Sequence, residues 1–212
     1  MSEINELFFA AQWGDIKKLR SLLIETNISL ETKDYNDMTA LHYAAQYGCP
    51  ECVQELLNWG AVMDSEDKYY HWRRPLSCGV WAGHLSCVKV LLKHGADPTY
   101  NDNYDQIERL WNKGRIECVI YCLRYGADVN KPYSYEYTNL HWAAYHDQPN
   151  FLRELLKHGA DINQLTNDNE CNIPKGYTAL DIAKKRGNYQ IVSFLEEYDP
   201  KDTQFCSEKM IY

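Results

Sequence analysis

Pairs of adjacent apolar residues recur along this chain, each a few positions ahead of a glycine. Leu56-Leu57, Leu91-Leu92, Cys122-Leu123 and Leu155-Leu156 precede Gly60, Gly95, Gly126 and Gly159, which stand 35, 31 and 33 residues apart. A second signal lies upstream, Thr39-Ala40-Leu41-His42-Tyr43-Ala44-Ala45, echoed by Thr138-Asn139-Leu140-His141-Trp142-Ala143-Ala144 and more loosely by Thr178-Ala179-Leu180-Asp181-Ile182-Ala183. The leucine of each lies 12 residues before an apolar residue that opens the next segment: Leu41 to Val53, Leu140 to Leu152 and Leu180 to Val192. The same offset finds Leu76 to Val88, Ile107 to Val119 and Leu7 to Leu19, so the chain is six copies of one unit. A fixed period of this length is the signature of a repeat array and outranks any local reading.

Each copy predicts a helix, a tight turn and a second helix. Thr39, Thr138 and Thr178 stand where a helix N-terminus needs a side-chain acceptor, and Pro75 stands where a missing N–H costs nothing. Gly14, Gly48, Gly83, Gly114 and Gly187 are placed to close first helices, and Gly60, Gly95, Gly126 and Gly159 to close second helices, in left-handed conformation. Lys93, His94, Arg124, Lys157 and His158 fall in the last turn of the second helices, where positive charge suits the helix dipole.

A period near 33 carrying Thr-Ala-Leu-His-x-Ala-Ala, a closing glycine and then Gly-Ala-Asp resembles the ankyrin repeat, and the resemblance runs over about residues 5–197. It implies an all-α fold, a solenoid of helix-turn-helix units joined by β-hairpin finger loops. The implied units lie near 5–35, 36–71, 72–102, 103–135, 136–174 and 175–198, one domain over 1–198 with a short tail at 199–212. Such units stack because one alone cannot bury its apolar face, and small Ala pairs let first helices approach closely. The resemblance further implies that first helices and fingers form the binding face. Departures are local. Leu110-Trp111 replace the Ala pair and Asp105-Gln106-Ile107-Glu108 replace the threonine motif in the fourth unit, where stacking should be distorted. Asp147 stands in place of a turn glycine, a position that Asp tolerates better than most residues. The stretch 161–178 carries extra Asn- and Asp-rich residues with Cys171 and reads as a longer finger.

Composition narrows the function. The 212 residues are 45% hydrophobic and 25% charged, an ordinary globular balance, and no apolar run approaches the roughly 18 residues that would span a bilayer. With no basic patch ahead of an apolar core at the N-terminus, we expect an intracellular protein, cytoplasmic or nuclear, with no membrane contact. Thirty acidic against 22 basic residues give a formal charge of -8, which repels phosphate backbones and favours basic partners.

No catalytic constellation stands out. Cys49-Pro50-Glu51-Cys52 is a C-x-x-C, which raises a redox pair or a metal- or thiol-dependent sensor, but the aligned repeats place Cys52, Cys87 and Cys118 in one slot, before Val53, Val88 and Val119. A thiol there reads as a small buried hydrophobe. His42 and His141 belong to the threonine motif, whose histidine, by the resemblance, bonds locally at the helix–finger junction. There is no glycine-rich phosphate loop, and Asp161–Asn169 lacks the spacing and closing glutamate of a calcium loop. We expect no enzyme activity, no metal and no cofactor.

The chain is rich in aromatic residues, with 17 Tyr and 6 Trp. By the resemblance, the two residues after each Ala pair face the binding side; among them are Trp13, Tyr47, Trp81, Lys113, Tyr145 and His146. The fingers add Tyr35, Tyr69, Tyr70, Trp72 and Tyr104, with Asp34, Asp37, Asp64, Glu66, Asp67, Asp102 and Asp105 in the same loops. Exposed Tyr and Trp are the commonest binding hot spots. Some of these rings can instead pack between neighbouring units, and Trp142 should be half-buried. The resemblance also marks Asn130 and Asn163 for asparaginyl hydroxylation. We therefore expect a monomeric, non-catalytic adaptor, scaffold or inhibitor that binds another protein, through a basic segment, and not nucleic acid. The same face would serve a host-directed effector of an intracellular bacterium or virus.

Overall fold

The computed structural model describes residues 3–65, 74–99, 113–132, 137–167 and 175–199. They form helices joined by turns, and no strand occurs among them. Two compact bodies are distinguished, residues 1–127 and 128–212. The first holds α1 (Glu3–Trp13), α2 (Ile16–Glu25), α3 (Ala40–Gln46), α4 (Pro50–Asn58), α5 (Pro75–Ala82), α6 (Leu85–Lys93) and α7 (Lys113–Arg124). In it α1, α3 and α5 pack in one row of first helices, and α2, α4, α6 and α7 in a second row behind them. The second body holds α8 (Asn139–Tyr145), α9 (Pro149–Lys157), α10 (Ala179–Arg186) and α11 (Tyr189–Glu197), with α8 against both α9 and α10, and α10 against α11.

The helices are short, seven to twelve residues, too short to persist alone in water. Packing holds them. Leu7, Leu19, Leu41, Val53, Leu56, Val88 and Leu91 are fully buried in the first body, as are Leu140, Leu152, Leu155, Ile182 and Ile191 in the second, to 1% exposure or less. The 12-residue offset selects Leu7, Leu19, Leu41, Val53, Val88, Leu140 and Leu152 among these, whereas in the last unit Ile182 and Ile191 are buried and the offset pair Leu180 and Val192 is half-buried.

Second helices end as the Gly-Ala pairs require. Gly60, Gly95, Gly126 and Gly159 have φ between 85° and 97°. The next residue's N–H, on Ala61, Ala96, Ala127 and Ala160, reaches back five positions to Leu56, Leu91, Cys122 and Leu155, the bond of a Schellman cap. Where the motif continues to aspartate, Asp97, Asp128 and Asp161 each accept from the N–H two residues on, starting the finger as an Asx turn. In place of β-hairpins the described fingers carry single backbone pairs, such as Asp34 to Met38 and Thr166 to Tyr177, each 3.0 Å. The first of these is a tight turn, with Asp37 in left-handed conformation at φ 61°.

First helices of successive units meet end to end through their turns. Gly14 and Gly48 are left-handed, and the residue opening the next second helix nests against them: a Cβ on Gly14 would lie 3.2 Å from Cys49 Sγ, and one on Gly48 would lie 2.6 Å from His84 Nδ1. Cys49 and Asn188 also bond the carbonyls of Gln12 and Ala144 in the preceding unit, at 3.6 and 2.7 Å. Asp147 takes the glycine's place with φ 51°, as its side chain permits. The fourth unit departs from expectation. Gly114 does not close a first helix but is the second residue of α7, and Arg115 reaches from that helix to the Trp81 carbonyl with its Nε at 3.0 Å and its Nη2. A guanidinium long enough to make the joint from inside the helix removes the need for a left-handed turn there.

His42 and His141 hold the helix–finger junctions. Each Nδ1 accepts from the backbone N–H of the threonine three residues earlier, at 3.1 Å, and His141 Nε2 lies 3.0 Å from the Gln164 carbonyl. Accepting at Nδ1 and donating at Nε2 fixes the neutral tautomer. Asp181 does the same work in the last unit, and the Thr178 hydroxyl bonding to it holds its carboxyl below the ordinary range.

Two outcomes are expected. Gly48→Ala combines a left-handed backbone with a collision at His84 and should cost about 3 kcal/mol. Gly60→Ala, with φ 89° and open space around the added carbon, should cost only about 1 kcal/mol. Urea unfolding followed by circular dichroism measures both. Burial pulls His141 below its ordinary 6.5, more than the bonds to Gln164 and Tyr177 raise it. The unfolded chain therefore binds more protons once pH falls below about 6.5, and stability should drop from there down to the folded pKa. His141→Asn should be less stable at pH 7.5 and show a flatter pH dependence, leaving the smaller contribution of His146, which burial and Arg186 lower in the same direction.

Candidate partner-binding face

The first-helix row of the first body carries a run of rings. Phe8 packs on Tyr43 with centroids 5.6 Å apart, and Tyr43 stacks on Tyr47 at 6.2 Å. Positions four apart on one helix turn place Tyr43 and Tyr47 on the same side. Tyr43 is anchored, its hydroxyl donating to Asp34 at 2.7 Å, while Tyr47 is 45% exposed. At the end of α1, Trp13 is 74% exposed, and Phe9, one turn earlier, is 47% exposed. These two rings border a surface hollow of about 470 Å³ with Ala10, Asp15 and the ion-paired Glu6 and Lys18. Tyr35, in the finger before α3, is 89% exposed.

Trp81 lies half-buried at the end of α5 with the Arg115 guanidinium over its ring at 5.6 Å. In the second body, Tyr145 and His146 are both half-buried at the end of α8. His146 stacks flat on Trp142, 13° between planes and 5.0 Å between centroids, and Tyr145 meets both rings edge-on. Trp142 itself is buried to 7% exposure, deeper than expected, because Tyr137 and His146 cover it. Tyr69, Tyr70, Trp72, Tyr104 and the side chain of Lys113 lie outside the described residues, as do Glu66, Asp67, Asp102 and Asp105.

The sequence separated neither Phe9 nor the role of the finger acids. Phe9 was legible as the residue four before Trp13, in the same slot as Tyr43. The acids have structural duties: Asp34 accepts from the N–H groups of Asn36 and Met38 as well as from Tyr43, and Asp64 pairs with Arg74 at 3.4 Å. The hydroxylation candidates differ in setting. The Asn130 amide donates to the Gly159 carbonyl at 3.2 Å and accepts from the Asp161 N–H at 2.7 Å, clasping the next finger, whereas Asn163 is exposed.

The cysteine slot has a physical explanation. Cys52 and Cys87, both fully buried, direct their thiols at the carbonyls of Ala10 and Ala44 in the preceding first helix, at 3.9 and 3.8 Å. Burial pushes Cys52, Cys87, Cys118 and Cys122 up to about 12, and raises Cys49 as well. All five are protonated at neutral pH, the wrong state for nucleophilic attack.

Comparison with known proteins agrees with this architecture. A model described as ankyrin repeats in three copies matches residues 7–102 and 111–166, and another described as ankyrin repeats in many copies matches 140–196. Human palmitoyltransferase ZDHHC17 is 28% identical over 89% of this chain and 34% of its own length. Human SH3 and multiple ankyrin repeat domains protein 2 is 26% identical over 92% of this chain and 10% of its own length. A putative ankyrin repeat protein of fowlpox virus is 29% identical over 80% of this chain and 40% of its own. The chain thus spans about a third or less of the two human relatives. Among solved structures, a chain from the complex of the Bd0816 predatory endopeptidase of Bdellovibrio bacteriovorus with immunity protein Bd3460 has a TM-score of 0.71 at 24% identity, covering 92% of this chain and 98% of that one, a likeness of fold.

Cys52→Ala should lower stability by about 1–2 kcal/mol through a lost sulfur contact and a small cavity, and leave partner binding unchanged. Urea unfolding beside a binding measurement separates this packing role from a sensing one.

Proposed function

Since the chain belongs to the ankyrin-repeat family and is a protein-interaction module, we propose that it holds a segment of another protein against the first-helix row of its first body. The observation that carries this is the exposure of Trp13, Tyr47 and Phe9 along α1 and α3, with Tyr35 beside them in the finger. Such rings offer contact area at small entropic cost, and soluble surfaces do not cluster them without use. The formal charge of -8 favours a basic segment. No side chain on this row is arranged as a nucleophile with its base, which fits an adaptor, scaffold or inhibitor. The reading includes action as a monomer inside a cell, in cytoplasm or nucleus, where buried free thiols such as Cys52 and Cys87 stay reduced. The likeness to a fowlpox virus protein supports a host-directed version of the same activity.

Affinity capture with the wild-type chain beside a Trp13→Ala/Tyr47→Ala variant, read by mass spectrometry, tests the face. Both side chains are exposed enough for the variant to keep its fold, and each should be worth about 2 kcal/mol, or roughly 30-fold in affinity. A partner lost only from the variant supports the reading. Partners retained by both move the site elsewhere and reduce these rings to surface.

A further inference from the structure

The second body carries a surface of opposite character. At the C-terminal end of α10 stand Lys184, Lys185 and Arg186, all exposed. Helix ends favour cations, and one of the three is used structurally: Lys184 pairs with Glu196 at 2.8 Å. The other two behave differently. Arg186 lies over the Tyr145 ring at 4.3 Å, and Lys185 over the Tyr177 ring at 5.5 Å, and neither forms an ion pair among the described residues. Tyr145 is braced in turn by Trp142 and His146.

A long cation laid on a ring has already given up much of its rotamer freedom, so binding an anion costs it less. Asp181, the acid nearest in sequence, is bound to Thr178. Asp147, in the turn after His146, forms no ion pair among the described residues. Two pre-positioned cations beside aromatic faces, without an ion-pair partner among the described residues, form a local field against the trend of a chain whose net charge is -8.

We propose that the Lys185–Arg186–Tyr145 surface takes an acidic segment of a partner protein, its carboxylates on the two cations and an adjoining apolar side chain on the Tyr145 and His146 edge. Arg186 supplies a planar fork matched to one carboxylate, and Lys185 a point charge for a second. This surface lies on a different body from Trp13 and Tyr47 and shares with the preceding reading only that partners are proteins.

The test is selection from a random peptide display library on the full-length chain, followed by fluorescence anisotropy with synthetic copies of the enriched peptides. Enriched peptides should carry paired Asp or Glu next to an apolar residue and weaken as salt rises. They should lose about tenfold or more in affinity to Lys185→Gln/Arg186→Gln, a variant checked for unchanged urea unfolding. The same peptides should bind Trp13→Ala/Tyr47→Ala as they bind wild type, so that failure of the first-body reading leaves this result intact. Enrichment of only neutral or basic peptides, no enrichment, acidic peptides indifferent to the double Gln variant, or much tighter binding of phosphorylated than carboxylate peptides would each overturn the proposal.

Discussion

The stack depends on how closely successive first helices approach. Ala10 and Ala11, Ala44 and Ala45, and Gly79 line α1, α3 and α5 with almost no exposure, and a Cβ on Gly79 would stand 3.8 Å from the Ala45 carbonyl of the preceding first helix. That proximity lets a thiol from one unit reach a backbone carbonyl of the one before. It also lets helices of seven to twelve residues, unstable alone, persist as a row.

Much of this was legible because it rests on spacing. The leucine-to-valine offset names the core, the Gly-Ala pairs name the Schellman caps, and the threonine three before histidine names the junction bond. Alignment of the units, more than the C-x-x-C itself, identified Cys52 as packing. What spacing could not show is a change of means at a constant slot. Gly114 sits in the register of Gly48 yet lies within α7, because Arg115 makes the joint that a nested Cys49 or His84 makes elsewhere. Among the described residues the fingers likewise keep their register without a strand, since register says where a turn falls and not how many residues pair beside it.

The exposed rings were legible in outline. Trp13, Tyr35 and Tyr47 were marked by their slots and are exposed, but Trp81 and Tyr145 are half-buried under Arg115 and Arg186, distant in sequence, and His146 is half-buried against Trp142 one turn earlier. Arg186 over Tyr145 joins two adjacent units, but sequence spacing alone does not say that the guanidinium lies on the ring. The finger acids were grouped with the tyrosines of the same loops, and of them Asp34 serves its own loop and Asp64 serves Arg74. A carboxylate in a loop is ambiguous in sequence because a turn's N–H groups compete with any ligand for it.

The joints have one more property. At Gln12 and Trp81 it is the backbone oxygen that accepts, from Cys49 and Arg115 respectively. The hydrogen bond of the joint therefore does not depend on which side chain leaves the same Cα, even where Arg115 also lies over the Trp81 ring. Glutamine and tryptophan occupy equivalent slots with the stack intact. Cohesion is thus written in main-chain atoms and small residues, and surface chemistry in a separate column that can drift freely, so new specificities can evolve here without the architecture being renegotiated.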